Sequence, residues 1–265
     1  MRLIIMPDTH SAMRLAAGEI ASLISSVSSP VLGLATGRTM EGVYSDLVRL
    51  HEKQGLDFSR TTTFNLDEYI GLDAANEQSY HYYMQEHLFS KVNVSPNSTH
   101  VPNGAASDVD AEAKNYEAAI AQAGGIDLQL LGLGQNGHIG FNEPLSSLNC
   151  RTRAITLAQT TLEQNAEMFG GNPDSVPSRA ITMGTATILE SHMALMVVTG
   201  PAKAQIAAQM IEGPVTAAVP GSALQYHPSC LVILDEDAAS ALVAREAIDW
   251  QMKHDPELMA LTDCL

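Results

Sequence analysis

Short apolar runs alternate with helix-like segments along the chain, and this alternation constrains the fold more than any other feature of the sequence. Continuous apolar runs of four to eight residues are typical of strands buried on both faces, as in parallel sheets covered by helices. The pattern therefore predicts an α/β fold with a doubly wound, mostly parallel sheet and helices on both faces. The runs are "LIIM" (3–6), "VLGLA" (31–35), "TTTFNL" (61–66), "IDLQLLGLG" (126–134), "MALMVVTG" (193–200) and "CLVILDED" (230–237).

The 265 residues contain no linker, internal repeat or low-complexity tract, so we expect one domain over residues 1–265. In open sheets of this kind, ligands bind outside the carboxyl ends of the strands. The polar loops that directly follow the apolar runs are therefore the segments in which to look for chemistry.

Charge and composition exclude several classes of protein. The formal net charge is −16, with 14 Lys and Arg against 30 Asp and Glu, and no basic cluster is present that could bind nucleic acid. No apolar run is long enough to span a membrane. The cysteines Cys150, Cys230 and Cys264 are odd in number and lack CxxC spacing, which favours a reducing compartment and a cytoplasmic protein.

The loop "LLGLGQNGHIGFNEPLSS" (130–147) contains His138 and Glu143 among several glycines. Histidine transfers protons near neutral pH, and a carboxylate neighbour can fix its tautomer and orientation. Asn136 adds a polar group beside the histidine. The spacing does not match the HExxH pattern of zinc enzymes. A buried structural histidine is the alternative interpretation, and the surrounding glycines favour a reaction site.

A second polar loop, "FNLDEYIGL" (64–72), places Asp67 and Glu68 at the end of the third apolar run. Successive residues of a strand point to opposite faces, so these two carboxylates are not expected to act as a pair. One of them can face the ligand cleft, where burial would raise its pKa and make it a proton acceptor. A helix or turn cap is the alternative.

Two further loops have the features of an anion site. "TGRT" (36–39) precedes a helix, so that Gly37, Arg38 and Thr39 offer backbone N–H groups, a cation and a hydroxyl. In "TGPAKAQ" (199–205), Lys203 lies in the first turn of a helix, where a cation is unfavourable unless an anion binds. A simple strand-to-helix turn and a solvated lysine are the alternatives. Together the four loops predict proton transfer on a phosphorylated small molecule.

Eight stretches resemble the glucosamine-6-phosphate deaminase family, the glucosamine/galactosamine-6-phosphate isomerases. The resemblance covers nearly the whole chain, and it implies a Rossmann-like α/β fold shared with ribose-5-phosphate isomerase A and 6-phosphogluconolactonase. It also implies conversion of glucosamine 6-phosphate and water to fructose 6-phosphate and ammonia, in amino-sugar catabolism. The stretches are "LGLATGRT", "FNLDEYIGL", "SYHYYMQEHLF", "LGLGQNGHIGFNEP", "SSLNCRTR", "AITMGTATIL", "VVTGPAKA" and "SALQYHP".

The resemblance also implies roles for individual residues. His138 would move protons as the sugar ring opens, supported by Glu143 and by Asn136, where some members carry Asp. Asp67 would move a proton between C2 and C1, and the resulting imine would be hydrolysed. No metal or organic cofactor is implied, because the carbonyl group acidifies the C2 proton. On the features of the two anion-binding loops described above, the substrate phosphate would bind to Gly37, Arg38, Thr39 and Lys203.

Two departures from the family pattern stand out. The arginine that binds the sugar phosphate in many members is replaced by Glu167, so that Arg38 or Arg179 would have to compensate, or the substrate would be galactosamine 6-phosphate instead. Ile155 stands two residues beyond Arg153, where members with allosteric activation carry a basic residue, which argues against activation by N-acetylglucosamine 6-phosphate.

Three further questions stay open at this point. A 6-phosphogluconolactonase is the enzymatic alternative. A catalytically silent sugar-phosphate sensor is disfavoured, because the chain has no helix-turn-helix domain and keeps its acid and base residues. The sequence does not distinguish a monomer from a homo-oligomer.

Overall fold

The structure is a computed structural model that describes residues 1–262, and its strands form two separate sheets. Seven strands belong to the larger sheet, in the order β1-β10-β9-β6-β2-β3-β5, and three belong to a smaller sheet, in the order β4-β8-β7. In chain order the strands are β1 Arg2–Met6, β2 Val31–Leu34, β3 Thr62–Asn65, β4 Asp67–Tyr69, β5 Thr99–His100, β6 Leu128–Leu131, β7 Arg153–Thr156, β8 Arg179–Thr182, β9 Met193–Val198 and β10 Cys230–Asp235.

The larger sheet confirms the predicted α/β fold. Every pairing within it is parallel. All residues of β2, β6 and β10 are buried, which requires cover on both faces of the sheet. All six apolar runs identified in the sequence contain a strand of this sheet, so their carboxyl ends meet at one edge.

Helices connect these strands, and several of them begin or end at a capping residue. Asp8 accepts a hydrogen bond from the Ser11 N–H at the start of α1, and Asp108 accepts one from the Ala111 N–H at the start of α4. Gly55 ends α2 in the left-handed conformation. The helices are α1 Thr9–Ser26, α2 Arg38–Gln54, α3 Tyr80–His87, α4 Val109–Gln122, α5 Gln159–Asn165, α6 Thr185–Leu189, α7 Ala204–Glu212, α8 Glu236–Ala239, α9 Arg245–His254 and α10 Pro256–Thr262.

The smaller sheet is antiparallel and was not predicted from the sequence. Its strand β4 begins directly after β3, because the chain bends at Leu66 and leaves the parallel sheet. The sheet is packed by a separate group of apolar side chains around Tyr69, whose ring lies 4.9 Å from that of Tyr80 and 5.4 Å from that of Phe169. This arrangement fixes the position of Asp67, the first residue of β4.

Two further expectations from the sequence concern the cysteines and the absence of a membrane span. Cys150 and Cys230 are free thiols, and Cys264 lies outside the described residues. Within residues 1–262, the structure contains no helix with the length and apolarity needed to cross a membrane.

Candidate active site

A cavity of about 810 Å³ opens at the carboxyl ends of the central parallel strands. The loops after β2, β6 and β9 line it, together with β4 from the smaller sheet. Six of the eight candidate residues contribute to its wall: Gly37, Arg38, Thr39, Asp67, His138 and Lys203. The other two, Asn136 and Glu143, contact or lie beside His138 away from the cavity.

The glycines of the loop after β6 allow His138 to fold back over its own backbone. A Cβ at Gly134 would lie 2.4 Å from the imidazole ring, and one at Gly137 would lie 2.8 Å from Val219. Gly137 also has a φ of 86°, which residues with a side chain rarely adopt. Any larger residue at Gly134 would therefore displace the imidazole from the cavity.

His138 and Glu143 form the predicted pair. The imidazole Nδ1 lies 3.5 Å from Glu143 Oε2, and both side chains are buried. Thr161 Oγ1 lies at the same distance from Nδ1. Because Nδ1 faces this polar group, the remaining ring nitrogen is the one available to a ligand in the cavity.

Glu143 is held as an anion by the groups around it. Burial raises its pKa, but hydrogen bonds from His138, Thr161 and the Ala158 N–H, together with the charge of His138, lower it to about 2. The Asn136 amide also donates to Glu143 Oε2 at 2.7 Å, and its carbonyl oxygen accepts from the His138 N–H at 3.2 Å. Asn136 therefore fixes the position of the Glu143 carboxylate and that of the His138 backbone through one side chain.

Asp67 has the opposite environment. Its side chain is 6% exposed, and burial and the charge of Glu68 raise its pKa to about 8, although the Phe141 N–H lowers it in part. A carboxyl group with this pKa can gain and lose a proton near neutral pH, as a general base must.

Glu68 points away from the cavity and caps α3, as the alternation along a strand requires. Its carboxylate accepts hydrogen bonds from the backbone N–H groups of Tyr69, Tyr80 and His81 at 2.8–3.0 Å. Burial raises its pKa to about 7 in spite of these donors. Of the two adjacent carboxylates, Asp67 is the one that faces the cleft, and Glu68 has a structural role.

The opposite end of the cavity has the features of an anion site. Gly37, with a φ of 112°, turns the chain into α2, and the first turn of this helix, where N–H groups lack partners within the helix, lines the cavity. Thr39 Oγ1 lies 3.2 Å from Thr199 Oγ1. Burial lowers the pKa of Lys203 to about 8, and within residues 1–262 no carboxylate forms an ion pair with it. A half-buried ammonium without a counter-ion favours an anionic ligand.

Arg38 and Glu167 form an ion pair at the cavity wall, with each side chain 75% exposed. Glu167, which stands where the family pattern has a phosphate-binding arginine, thus contacts Arg38, a candidate to replace that arginine. Arg179 is exposed at the start of β8 and does not line the cavity. Of the two arginines considered as replacements, Arg38 is the one within reach of a ligand there.

Sequence reasoning missed three threonines that contact the candidate residues. Thr161 reaches His138, Thr199 reaches Thr39, and Thr182 pairs with Asp67 in the small sheet. Thr182 lies in "AITMGTATIL", a stretch that resembles the family but suggests no role by itself. In the described part of the chain, no cluster of three or more His, Cys, Asp or Glu side chains could hold a metal ion.

Comparisons with known proteins agree on one family. Residues 9–233 match the sequence model described as glucosamine-6-phosphate isomerases/6-phosphogluconolactonase. A protein of Marinomonas sp. named glucosamine-6-phosphate deaminase is 46% identical, over 94% of this chain and 95% of its own length. One of Rhodopirellula baltica with the same name is 48% identical, over 91% of this chain and 96% of its own length.

Solved structures give the same result for the fold. The structure of a monomeric glucosamine-6-phosphate deaminase superposes with a TM-score of 0.89 and 41% identity, covering 91% of this chain and all of that one. The 6-phosphogluconolactonase of Thermotoga maritima has a TM-score of 0.70 and 17% identity, over 89% of this chain and 99% of that one. The second likeness concerns the fold alone.

Proposed function

The chain belongs to the family of glucosamine-6-phosphate isomerases and 6-phosphogluconolactonases, and from this premise we propose that it converts glucosamine 6-phosphate and water to fructose 6-phosphate and ammonia. Relatives that carry the deaminase name share over 40% identity with nearly the whole chain. The observation that carries the proposal is that Asp67 and His138 line the same cavity, with Glu143 Oε2 3.5 Å from the imidazole Nδ1.

In the first step, His138 transfers the proton of the sugar's O1 hydroxyl to the ring oxygen O5. The C1–O5 bond breaks, and the open-chain aldehyde forms. Glu143 stays ionised throughout and stabilises the positive charge that the imidazole acquires, because its low pKa prevents it from taking the proton itself. Asn136 holds the orientation of this carboxylate.

In the second step, Asp67 removes the proton from C2. The electron pair of the C2–H bond forms the C1–C2 double bond of an enolamine, and the aldehyde oxygen takes up a proton that the ammonium group at C2 releases. Asp67 then returns its proton to C1, which leaves an imine at C2. Water adds to the imine carbon, the C–N bond breaks, and ammonia leaves with fructose 6-phosphate as the second product.

The substrate phosphate binds at the other end of the cavity in this proposal. The N–H groups that follow Gly37, the Thr39 hydroxyl and the Lys203 ammonium supply donors, and Arg38 adds charge once it leaves Glu167. Anchoring the phosphate there keeps this dianion away from the two carboxylates. Fixing the reactive carbons beside Asp67 supplies part of the roughly 7–11 kcal/mol that orientation can contribute to catalysis.

We further propose that the protein acts in the cytoplasm as a single domain over residues 1–265. The free thiols Cys150 and Cys230 support a reducing compartment. The proposed partner is the amino-sugar phosphate, with no nucleic acid. A relative of known structure is described as monomeric, which makes a monomer the first state to test by light scattering.

The test is an assay of ammonia and fructose 6-phosphate with glucosamine 6-phosphate and, in parallel, galactosamine 6-phosphate. Equal amounts of the two products from glucosamine 6-phosphate support the proposal. Turnover of the galacto isomer alone would change the substrate. Hydrolysis of 6-phosphogluconolactone without any ammonia release from either amino sugar would replace the proposal with the lactonase alternative.

A further inference from the structure

Thr182, a fully buried residue of β8, lies between Asp67 and the loop that carries His138. It is the cross-strand partner of Asp67 in the small antiparallel sheet, and such partners project from the same face. A Cβ at Gly140 would lie 3.0 Å from Thr182 Oγ1 and 3.4 Å from Asp67 Oδ2. The hydroxyl and the carboxylate therefore approach the same short stretch of loop backbone.

The hydrogen bonds of Thr182 decide what that stretch can donate to Asp67. Thr182 Oγ1 accepts the N–H of Phe141 at 3.0 Å and donates its own proton to the Met183 carbonyl at 3.3 Å. A hydroxyl has a single proton, so Thr182 has none left for the carboxylate. The Phe141 N–H also lies near enough to Asp67 to lower its pKa in part. The Phe141 N–H thus donates mainly to Thr182 Oγ1 and interacts more weakly with the Asp67 carboxylate.

We propose that Thr182 is a positioning residue that keeps the Phe141 N–H from donating fully to Asp67. Without the hydroxyl, the buried N–H would turn to the Asp67 carboxylate, which it already influences, because a buried donor rarely stays unpaired. A full backbone hydrogen bond favours the ionised carboxylate and makes it a weaker base. The inference rests on the proposed function only in taking Asp67 as the group that moves the C2 proton.

Glu68 also raises the pKa of Asp67, and other charged or titratable groups surround it; all of them stay the same in a Thr182 variant. They come from its own strand, from α3, α4 and β7, from the loop after β6 and from across the cavity. The groups are Glu68, Tyr69, Tyr80, Tyr116, Arg153, His138 and Lys203. A pKa difference between Thr182 variants therefore reports on the hydroxyl and the Phe141 N–H.

The experiment compares Thr182→Val, which keeps the shape but removes the hydroxyl, with Thr182→Ser, which keeps the hydroxyl. The pKa of the Asp67 carboxyl is measured by carbon-13 NMR of aspartate-labelled protein, with its signal identified by its loss in Asp67→Asn. We expect the pKa to fall by about one to two units in Thr182→Val, since this is the usual effect of one hydrogen bond to a carboxylate. Thr182→Ser should stay within a few tenths of a unit of the wild type.

The same variants are then assayed for turnover. The acidic limb of the kcat/KM profile should move down with the carboxyl pKa in Thr182→Val, with kcat lowered about tenfold, and Thr182→Ser should restore both. A structural role alone would lower kcat without moving the profile. An unchanged or raised carboxyl pKa in Thr182→Val, or the same shift in Thr182→Ser, would overturn the inference.

Two features keep the result decisive. Thr182→Ala also lacks the hydroxyl and replaces Thr182→Val if the latter does not fold. The NMR measurement needs no substrate, so a wild-type protein that releases no ammonia would refute the proposed function while the comparison of carboxyl pKa values still tests the inference.

Discussion

Asp67 and Glu143 are two buried carboxylates of the same region, and their surroundings drive their chemistry in opposite directions. Their exposed fractions are almost equal, 6% and 5%. Yet the pKa is raised to about 8 in one and lowered to about 2 in the other. Burial raises the pKa of both carboxyl groups, so it cannot account for the lowered pKa of Glu143.

The difference lies in the donors. Glu143 faces the amide of Asn136 and the imidazole of His138, both from the glycine-containing loop after β6, and the Ala158 N–H at the start of α5. Asp67 stands next to a second carboxylate, Glu68, and shares a single N–H with Thr182. The first environment holds a permanent anion, and the second holds a group that exchanges a proton near pH 8. Two carboxyl groups with such different pKa values allow one site to hold a permanent anion and a proton-exchanging base at the same pH.

The largest expected effect is that of Asp67→Asn, which removes the exchanging group. An amide cannot take the C2 proton, and general-base catalysis typically contributes about 10²–10⁴-fold, so we expect kcat to fall about 10³-fold. The measurement is ammonia release under saturating glucosamine 6-phosphate. Asp46→Asn, a buried aspartate of α2 paired with Arg49, is the matched control and should keep most of the activity. Comparable losses in both variants would assign the effect to folding.

Glu143→Gln tests the permanent anion and should lower kcat about 10²-fold. The amide keeps the size of the side chain but loses the charge that stabilises the His138 imidazolium. Since the two residues act as one unit, the double variant with His138→Gln should lose little more than His138→Gln alone. Fully additive losses would show that Glu143 does not work through the imidazole.

Lys203→Met tests the proposed phosphate site and should raise KM about tenfold with a smaller change in kcat, because in the proposed binding mode it removes a charge that contacts the phosphate in every state. In the wild type, the pKa of Lys203 near 8 predicts that KM also rises as the pH increases above 8. The exposed Lys114→Met is the control and should leave KM unchanged. A fall in kcat alone would place Lys203 among the groups that act on the reacting atoms.

The smallest effect is on stability, and it has opposite signs at the two carboxylates. The pKa of Asp67 is higher in the folded protein than its ordinary 3.8, so stability decreases as the pH rises from 3.8 through 8. Asp67→Asn should therefore unfold at higher denaturant than the wild type at pH 9, by about 1 kcal/mol, and lose this advantage near pH 4.

The pKa of Glu143 is lower in the folded protein than its ordinary 4.5, so its contribution is present above 4.5 and lost as the pH falls toward 2. Glu143→Gln should be less stable than the wild type at pH 7, and the difference should shrink on acidification. Denaturant titrations at pH 4, 7 and 9 check both signs, and a common sign at the two positions would contradict the comparison.

The sequence predicts the parallel sheet better than the small sheet, and it predicts the surroundings of His138 better than those of Asp67. Strands β2, β6, β9 and β10 were identifiable because their apolar runs are continuous, and the polar residues that follow them then had to meet at one edge. The pairing of His138 with Glu143 followed from the short loop between them.

The small sheet was missed because its strands, DEY, RAIT and RAIT, have no continuous apolar run, and β7 is mostly half-buried, without a period that marks a strand. The partner of Asp67 was missed with it, since Thr182 is more than a hundred residues away along the chain. The bond from Asn136 to Glu143 depends on how the loop folds, and residue types alone do not reveal it.

The ion pair of Arg38 with Glu167 joins the first turn of α2 to the segment after α5 at the wall of the cavity. A phosphate that recruits Arg38 must first displace this carboxylate, so the resting protein contains its own competitor for the ligand. Added salt then acts twice, loosening the internal pair while it screens the incoming anion. We therefore expect the affinity of this chain for a phosphorylated ligand to depend less on ionic strength than its net charge of −16 suggests.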